Sequence, residues 1–86
     1  MTRDETLKIM AVLKATYPNF YKDMTRRDAE GVVALWTDMF SEDSYNAVAA
    51  AVKAFIASDS KGFPPVVGQV KQRVTEFASA KALPGN

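Results

Sequence analysis

The stretch TRRDAEGVVALWTDMF, residues 25–40, predicts a helix and, with it, the class of the whole fold. Thr25 is a favourable N-cap, and Asp28 three residues later is favoured by capping and by the helix dipole. Apolar side chains then recur at three- and four-residue steps, at Ala29, Val32, Val33, Trp36, Met39 and Phe40. We therefore expect an amphipathic helix over 26–40. Gly31 interrupts it at a cost of about 1 kcal/mol relative to alanine, so we expect another backbone to cross close by.

Towards the N-terminus, Thr2 and Glu5 have the spacing of a capping box, which indicates a helix start. The apolar stripe that follows is formed by Leu7, Ile9, Met10, Val12, Leu13 and Tyr17. Pro18 ends this pattern, because proline lacks a backbone donor and restricts the residue before it. The sequence predicts a first helix over about 3–16.

Towards the C-terminus, the segment Ser41–Ser44 carries capping residues and acids that predict a new helix start. Its apolar face contains Tyr45, Val48, Ala49, Val52, Phe55 and Ile56. The helix is expected over about 42–57. The alanines at 49–51 should make it slim enough to lie in the middle of a bundle.

The last corner is GFPPVV, where two adjacent prolines separate an aromatic residue from a further apolar stripe. Pro64 restricts Phe63 to extended geometry, and Pro65 suits a first helical turn, where no backbone donor is needed. The stripe of Val67, Val70, Val74 and Phe77 predicts a fourth helix that lasts to about 79.

Together these patterns predict an all-α fold, a compact bundle of about four short helices in a single domain. We place this helical interaction domain at 1–81 and a flexible C-terminal tail at 82–86. The linkers of three to eight residues are typical of antiparallel neighbours in a bundle.

Composition excludes most chemistry. The 86 residues contain no cysteine and no histidine, which removes thiolate nucleophiles, imidazole bases and the usual zinc ligands. The isolated glycines form no phosphate-binding loop. We therefore expect no enzyme activity, cofactor, metal or small-molecule substrate. The apolar run 47–52 is far too short to span a membrane, and the N-terminus lacks a signal-peptide pattern.

Candidate functional residues fall into two groups. At least one of the aromatic residues in or beside loops could be exposed and anchor a partner protein, unless they fill the ends of the bundle. These residues are Tyr17, Phe20, Tyr21 and Phe63. The basic residues of the fourth helix either form a solvated face or face an acidic partner. These residues are Lys71, Arg73 and Lys81. Trp36, Phe40 and Tyr45 are expected in the core.

The acidic pairs near helix starts, such as Asp28 with Glu30, are interpreted as capping residues rather than catalytic acids. We do not expect direct nucleic-acid binding, because the net charge is +1 and the basic residues lack interleaved aromatics. The helices around 26–40 and 42–57 could imitate a helix-turn-helix. The would-be recognition helix, however, offers almost only Asn46 and Lys53 to read base edges.

The order and spacing of several residues resemble the phage helicase loader and inhibitor family over about residues 2–76. These are Tyr17-Pro18-Asn19-Phe20, Trp36, Met39-Phe40, Tyr45 to Val48, Val52, Ile56 and Phe63-Pro64-Pro65. The sequence departs from the family at Val66, where a small hydroxyl residue is usual, so the fourth helix is expected to lose a cap.

The resemblance implies a small all-helical protein that binds the hexameric replicative helicase of the phage, holds it inactive and helps deliver it to an origin-bound initiator protein. In this family, contact with the helicase is attributed to a flexible extension beyond the helical domain. Because the family has no catalytic residue, the resemblance implies none in this chain. The chain is then expected in the cytoplasm of a bacterial host. Two alternatives stay open: a small DNA-associated regulator that uses the basic fourth helix, and a phage assembly adaptor.

Overall fold

Five helices account for almost all of the regular structure in the computed structural model, which describes the backbone of residues 1–82 and the side chains of residues 1–77. They are α1 (Arg3–Thr16), α2 (Pro18–Tyr21), α3 (Arg26–Met39), α4 (Tyr45–Ser58) and α5 (Val67–Ala82). The described residues contain no strand. The predicted all-α bundle is confirmed, with one short helix more than expected. The expected tail overlaps α5 at Ala82, and its residues 83–86 lie outside the described part of the chain.

The two predicted capping boxes are present and set where α1 and α3 begin. Thr2 Oγ1 accepts from the backbone N–H of Glu5, and the Glu5 carboxylate accepts from the backbone N–H of Thr2. Thr25 and Asp28 make the same reciprocal pair. The bounds of these helices follow, since each cap satisfies donors that the first helical turn leaves free.

Helix α4 begins three residues later than predicted. Ser44 is the N-cap, and its hydroxyl accepts from the backbone N–H of Ala47. Residues 40–43 instead form turns, in which the N–H of Ser41 bonds to Asp38 O and that of Asp43 bonds to Phe40 O. The physical reason is that Phe40 is fully buried, so the chain turns around this anchor before it can enter a new helix.

The double-proline corner also differs from prediction, because α5 begins at Val67 and Pro65 precedes it. Pro65 is buried and lies in the segment 62–66, which has no regular secondary structure, instead of in the first helical turn. The backbone N–H of Val66 donates to Gln69 Oε1 at 2.9 Å. The helix start therefore keeps half of a capping box despite the missing hydroxyl.

The long helices form a closed ring of neighbours. Helix α1 packs against α3 and α4, α5 packs against α4 and α3, and α2 packs against α1. Although they are consecutive in sequence, α3 and α4 have no Cα atoms within 8 Å of each other in the described part of the chain. The expectation of antiparallel sequence neighbours is therefore wrong for this pair, and the helix-turn-helix interpretation loses its geometry, which needs two helices packed at a short turn.

The core is built from the predicted stripes, and its most buried large side chains are Ile9, Leu13, Phe40, Val48, Val52 and Val70. Trp36 packs on Phe40 with ring centroids 5.7 Å apart. Ala49 and Ala51 are buried, but Ala50 is exposed and α4 contacts only α1 and α5, so this helix does not lie at the centre as expected.

Thr6 is the buried polar side chain of the core, and its hydroxyl lies 2.8 Å from that of Thr37 across the α1–α3 contact. Gly31 is exposed, and a Cβ atom there would meet nothing within 4 Å. The expected backbone crossing at Gly31 is therefore wrong. No helix in the described part of the chain has the length and apolar character needed to span a membrane.

Candidate partner-binding surface

One end of the bundle gathers four aromatic residues, Tyr17, Phe20, Tyr21 and Phe63, which we call the aromatic end. Pro18 opens α2 directly after α1 ends, and this single turn carries Phe20 and Tyr21. Their ring centroids lie 5.5 Å apart in an edge arrangement. Phe63 comes from the α4–α5 connection and meets Phe20 edge-on with centroids 6.5 Å apart. The structure therefore joins all four aromatic residues that the sequence had singled out.

Asp59 fixes the loop that presents Phe63. Its carboxylate accepts from the backbone N–H groups of Lys61 (3.0 Å) and Gly62 (3.1 Å) and from the Tyr17 hydroxyl (2.9 Å). These donors lower the pKa of Asp59, led by the Lys61 N–H. Gly62 adopts a φ of 78°, a conformation that side chains disfavour. The loop is thus held by local bonds and by one link to α1.

Tyr17 itself is buried rather than exposed. Burial, followed by the bond to Asp59, raises the pKa of its hydroxyl. Its role in the fold is to tie the α1 end to the α4–α5 connection, 42 residues along the chain. It can support the neighbouring aromatic residues but offers little surface to a partner.

Phe20 and Phe63 are the outward members, with 61% and 62% of their surfaces exposed. They border a shallow groove of about 620 Å³ whose other sides include Pro18, Ile56 and Ser60. Two neighbouring phenylalanines with this exposure form an apolar surface that water solvates poorly. Such a surface can bind another protein without any rearrangement of the core.

The basic residues of α5 do not join the aromatic end. Lys71 Nζ lies 2.6 Å from Asp43 Oδ2 and 5.6 Å from the centre of the Phe40 ring, at the α3–α4 connection. Its charge is therefore used within the fold. Arg73 lines a different surface groove beside Phe55. The Lys81 side chain lies outside the described residues.

Sequence reasoning missed a second apolar depression, which lies between α1 and α3. Its floor is formed by Met10 and Val33 and one wall by Leu7, which is 41% exposed. Tyr21 closes one end, so the depression adjoins the aromatic end. The available signal was the width of the α1 stripe, because Leu7 and Val12 cannot both face one neighbour of a narrow helix.

Of the acids near helix starts, Glu5 and Asp28 serve the caps, whereas Asp43 pairs with Lys71. The Thr2 backbone N–H lowers the pKa of Glu5. Among the described residues no cluster of acidic side chains could hold a metal ion.

A family model for the N-terminal domain of a phage helicase loader/inhibitor matches residues 1–71, which cover α1 to α4 and the start of α5. No curated protein and no solved structure matches the chain.

Proposed function

Since this chain belongs to the family of the N-terminal domain of the phage helicase loader/inhibitor, we propose that it is a replication accessory protein that works by protein–protein contact. The family is one of regulatory proteins. In this proposal the chain binds the hexameric replicative helicase and an origin-bound initiator, in the cytoplasm of a bacterial host. It performs no reaction of its own.

The observation that carries the proposal is the exposed pair Phe20 and Phe63 on a rigid support. Large aromatic side chains dominate binding energy at protein interfaces, because they bury much area and lose little conformational entropy. Here α2 and the Asp59-held loop fix both rings before any partner arrives. A backbone held in this way lowers the ordering cost of binding.

Loading and inhibition need no catalytic group. A protein that binds one state of a ring more tightly than another shifts the ring towards that state by the difference in affinity. Contact with the initiator through the same chain would then bring the helicase to the origin. The aromatic end is proposed as the contact for at least one of these two proteins.

The DNA-associated alternative has weak support. Helices α3 and α4 do not pack on each other, and Lys71 is paired with Asp43. Fewer basic groups are thus free for phosphates than the sequence suggested, and phosphate neutralisation dominates affinity for DNA.

The test is complex formation by size-exclusion chromatography with light scattering. The chain is mixed in turn with the purified hexameric helicase of the same phage, with the initiator and with duplex DNA, at about 0.1 M and 0.3 M salt. We expect a complex with at least one of the proteins that survives the higher salt. Binding to DNA alone, lost at the higher salt, would support the regulator instead. Self-association without binding to either protein would support the assembly adaptor.

A further inference from the structure

The depression between α1 and α3, which we call the α1–α3 groove, has the shape and lining of a site for a helix. It has a volume of about 240 Å³. Leu7, Met10 and Ala11 come from one helix, and Val32 and Val33 from the other. Methionine lining is adaptable, because its side chain is unbranched and polarisable. An apolar depression between two neighbouring helices is a place where an amphipathic helix can pack.

The lining of this groove carries a single charge, which is positive. Lys14 is its only charged lining residue, and it makes no ion pair within residues 1–77. Arg26 lies on the same face of α3 as the lining residues Ala29 and Val33, three and seven positions later. Of the acids of α3, Asp28 is held in the capping box with Thr25, and Glu30 lines a different depression.

We propose that the α1–α3 groove binds an amphipathic helix of a partner protein, with its apolar face against Leu7, Met10 and Val32 and acidic side chains facing Lys14 and Arg26. A helix is favoured over an extended peptide because the described residues contain no strand whose edge could pair with one. Acidic side chains opposite Lys14 follow from this single lining charge, since opposite charges steer and align a partner.

Tyr21 connects this groove to the aromatic end, because it lines the groove and also contacts Phe20. A bound helix would therefore reach the exposed phenylalanines at one of its ends. The inference goes beyond the proposed function and depends on it only in taking the partner to be a protein.

The experiment is an NMR titration of the ¹⁵N-labelled chain with two synthetic peptides of about 18 residues, long enough to form a helix on binding. Both peptides carry leucines along one helical face. In the acidic peptide glutamates flank that face, and in its twin lysines replace every glutamate. We expect the acidic peptide to shift the amide signals around Leu7, Ala11 and Val32, and the basic twin to bind several-fold more weakly.

Variants of the groove separate shape from charge. Ala11→Phe fills the groove from an exposed helical position and should lower the affinity for the acidic peptide by about tenfold or more. Lys14→Glu should lower the affinity for the acidic peptide by about threefold to tenfold and raise the affinity for the basic twin. Ala50→Phe and Lys53→Glu, at exposed positions of α4, are the matched controls and should leave both affinities unchanged.

The amide spectrum also reports whether each variant is folded. Shifts confined to Phe20 and Phe63, equal affinity for the two peptides, or no shift with either would overturn the inference. None of these results bears on helicase or initiator binding, which the chromatography above measures separately.

Discussion

Replacing Phe20 and Phe63 by alanine separates the cost of folding from the cost of binding. A phenylalanine buries roughly 200 Å² when fully enclosed, and these two rings are 61% and 62% exposed. Folding thus removes about 80 Å² of each from water, a ceiling of about 2 kcal/mol at 25 cal/mol per Å². Because alanine retains part of the contact and denatured chains are compact, we expect each variant to lose only about 1 kcal/mol of unfolding free energy.

A partner that covers these rings would bury the remaining area, about 120 Å² for each ring. The corresponding ceiling is about 3 kcal/mol per ring, and part of it is spent on association itself. We therefore expect the affinity for at least one partner to fall by about tenfold to a hundredfold per substitution. The stability loss should be much smaller than the loss of binding energy.

The assays are urea denaturation followed by circular dichroism, and biolayer interferometry with the purified helicase and with the initiator. Leu35→Ala is the control, because Leu35 is 50% exposed on α3 away from the aromatic end. It should affect neither assay strongly. The reasoning is refuted if both phenylalanine variants bind the two proteins as tightly as the parent chain. It is refuted equally if each loses about 3–5 kcal/mol of stability, as a core phenylalanine would.

Three further predictions concern the elements that position this surface. Gly31→Ala should stabilise the chain by about 0.5–1 kcal/mol, because the site is helical and open, whereas Gly62→Ala should destabilise it by about 1 kcal/mol, because its φ is 78°. Urea midpoints check both, and a destabilised Gly31 variant would contradict the open site. Thr25→Ala should lower the free energy of unfolding by about 1 kcal/mol, because it removes the α3 cap. Thr75→Ala, at an exposed position inside α5, is the comparison. Equal losses of stability in the two variants would speak against the cap. Tyr17→Phe should change the pH dependence of stability at both ends. The pKa of Asp59 is lowered in the folded chain, so its contribution to the free energy of unfolding is present above its unfolded pKa and disappears as the pH falls through the folded value. Without the tyrosine donor, the stability lost at acidic pH should be smaller. The pKa of Tyr17 is raised, so its contribution to the free energy of unfolding is present below about pH 10 and disappears at higher pH. The variant should not show this loss of stability at alkaline pH. Denaturation at acidic, neutral and alkaline pH checks this, and an unchanged profile would rule out the Tyr17–Asp59 link.

The sequence predicted what depends on neighbours along the chain. The capping boxes at Thr2 and Thr25 were readable because both partners lie within four residues. The stripes that form the core, such as Trp36 with Phe40, followed from helical periodicity. These local signals were enough to predict the fold class and most helix bounds.

What the sequence could not predict depends on contacts between distant segments. The Tyr17 hydroxyl bonds to Asp59, 42 residues away, and no local pattern indicates that pairing. The pairing of Lys71 with Asp43 is a tertiary contact of the same kind. The α1–α3 groove was missed because Leu7 reads as a core residue until the position of α3 is known.

The most direct test of the central claim is a cross-saturation NMR measurement on the ¹⁵N-labelled chain in complex with the purified helicase or initiator. It identifies the amides of this chain that lie against the bound protein. We predict contact signals at residues 19–21 and 61–63, with Tyr21 leading into the α1–α3 groove. Contact signals confined to α5, with the aromatic end unaffected, would contradict the claim.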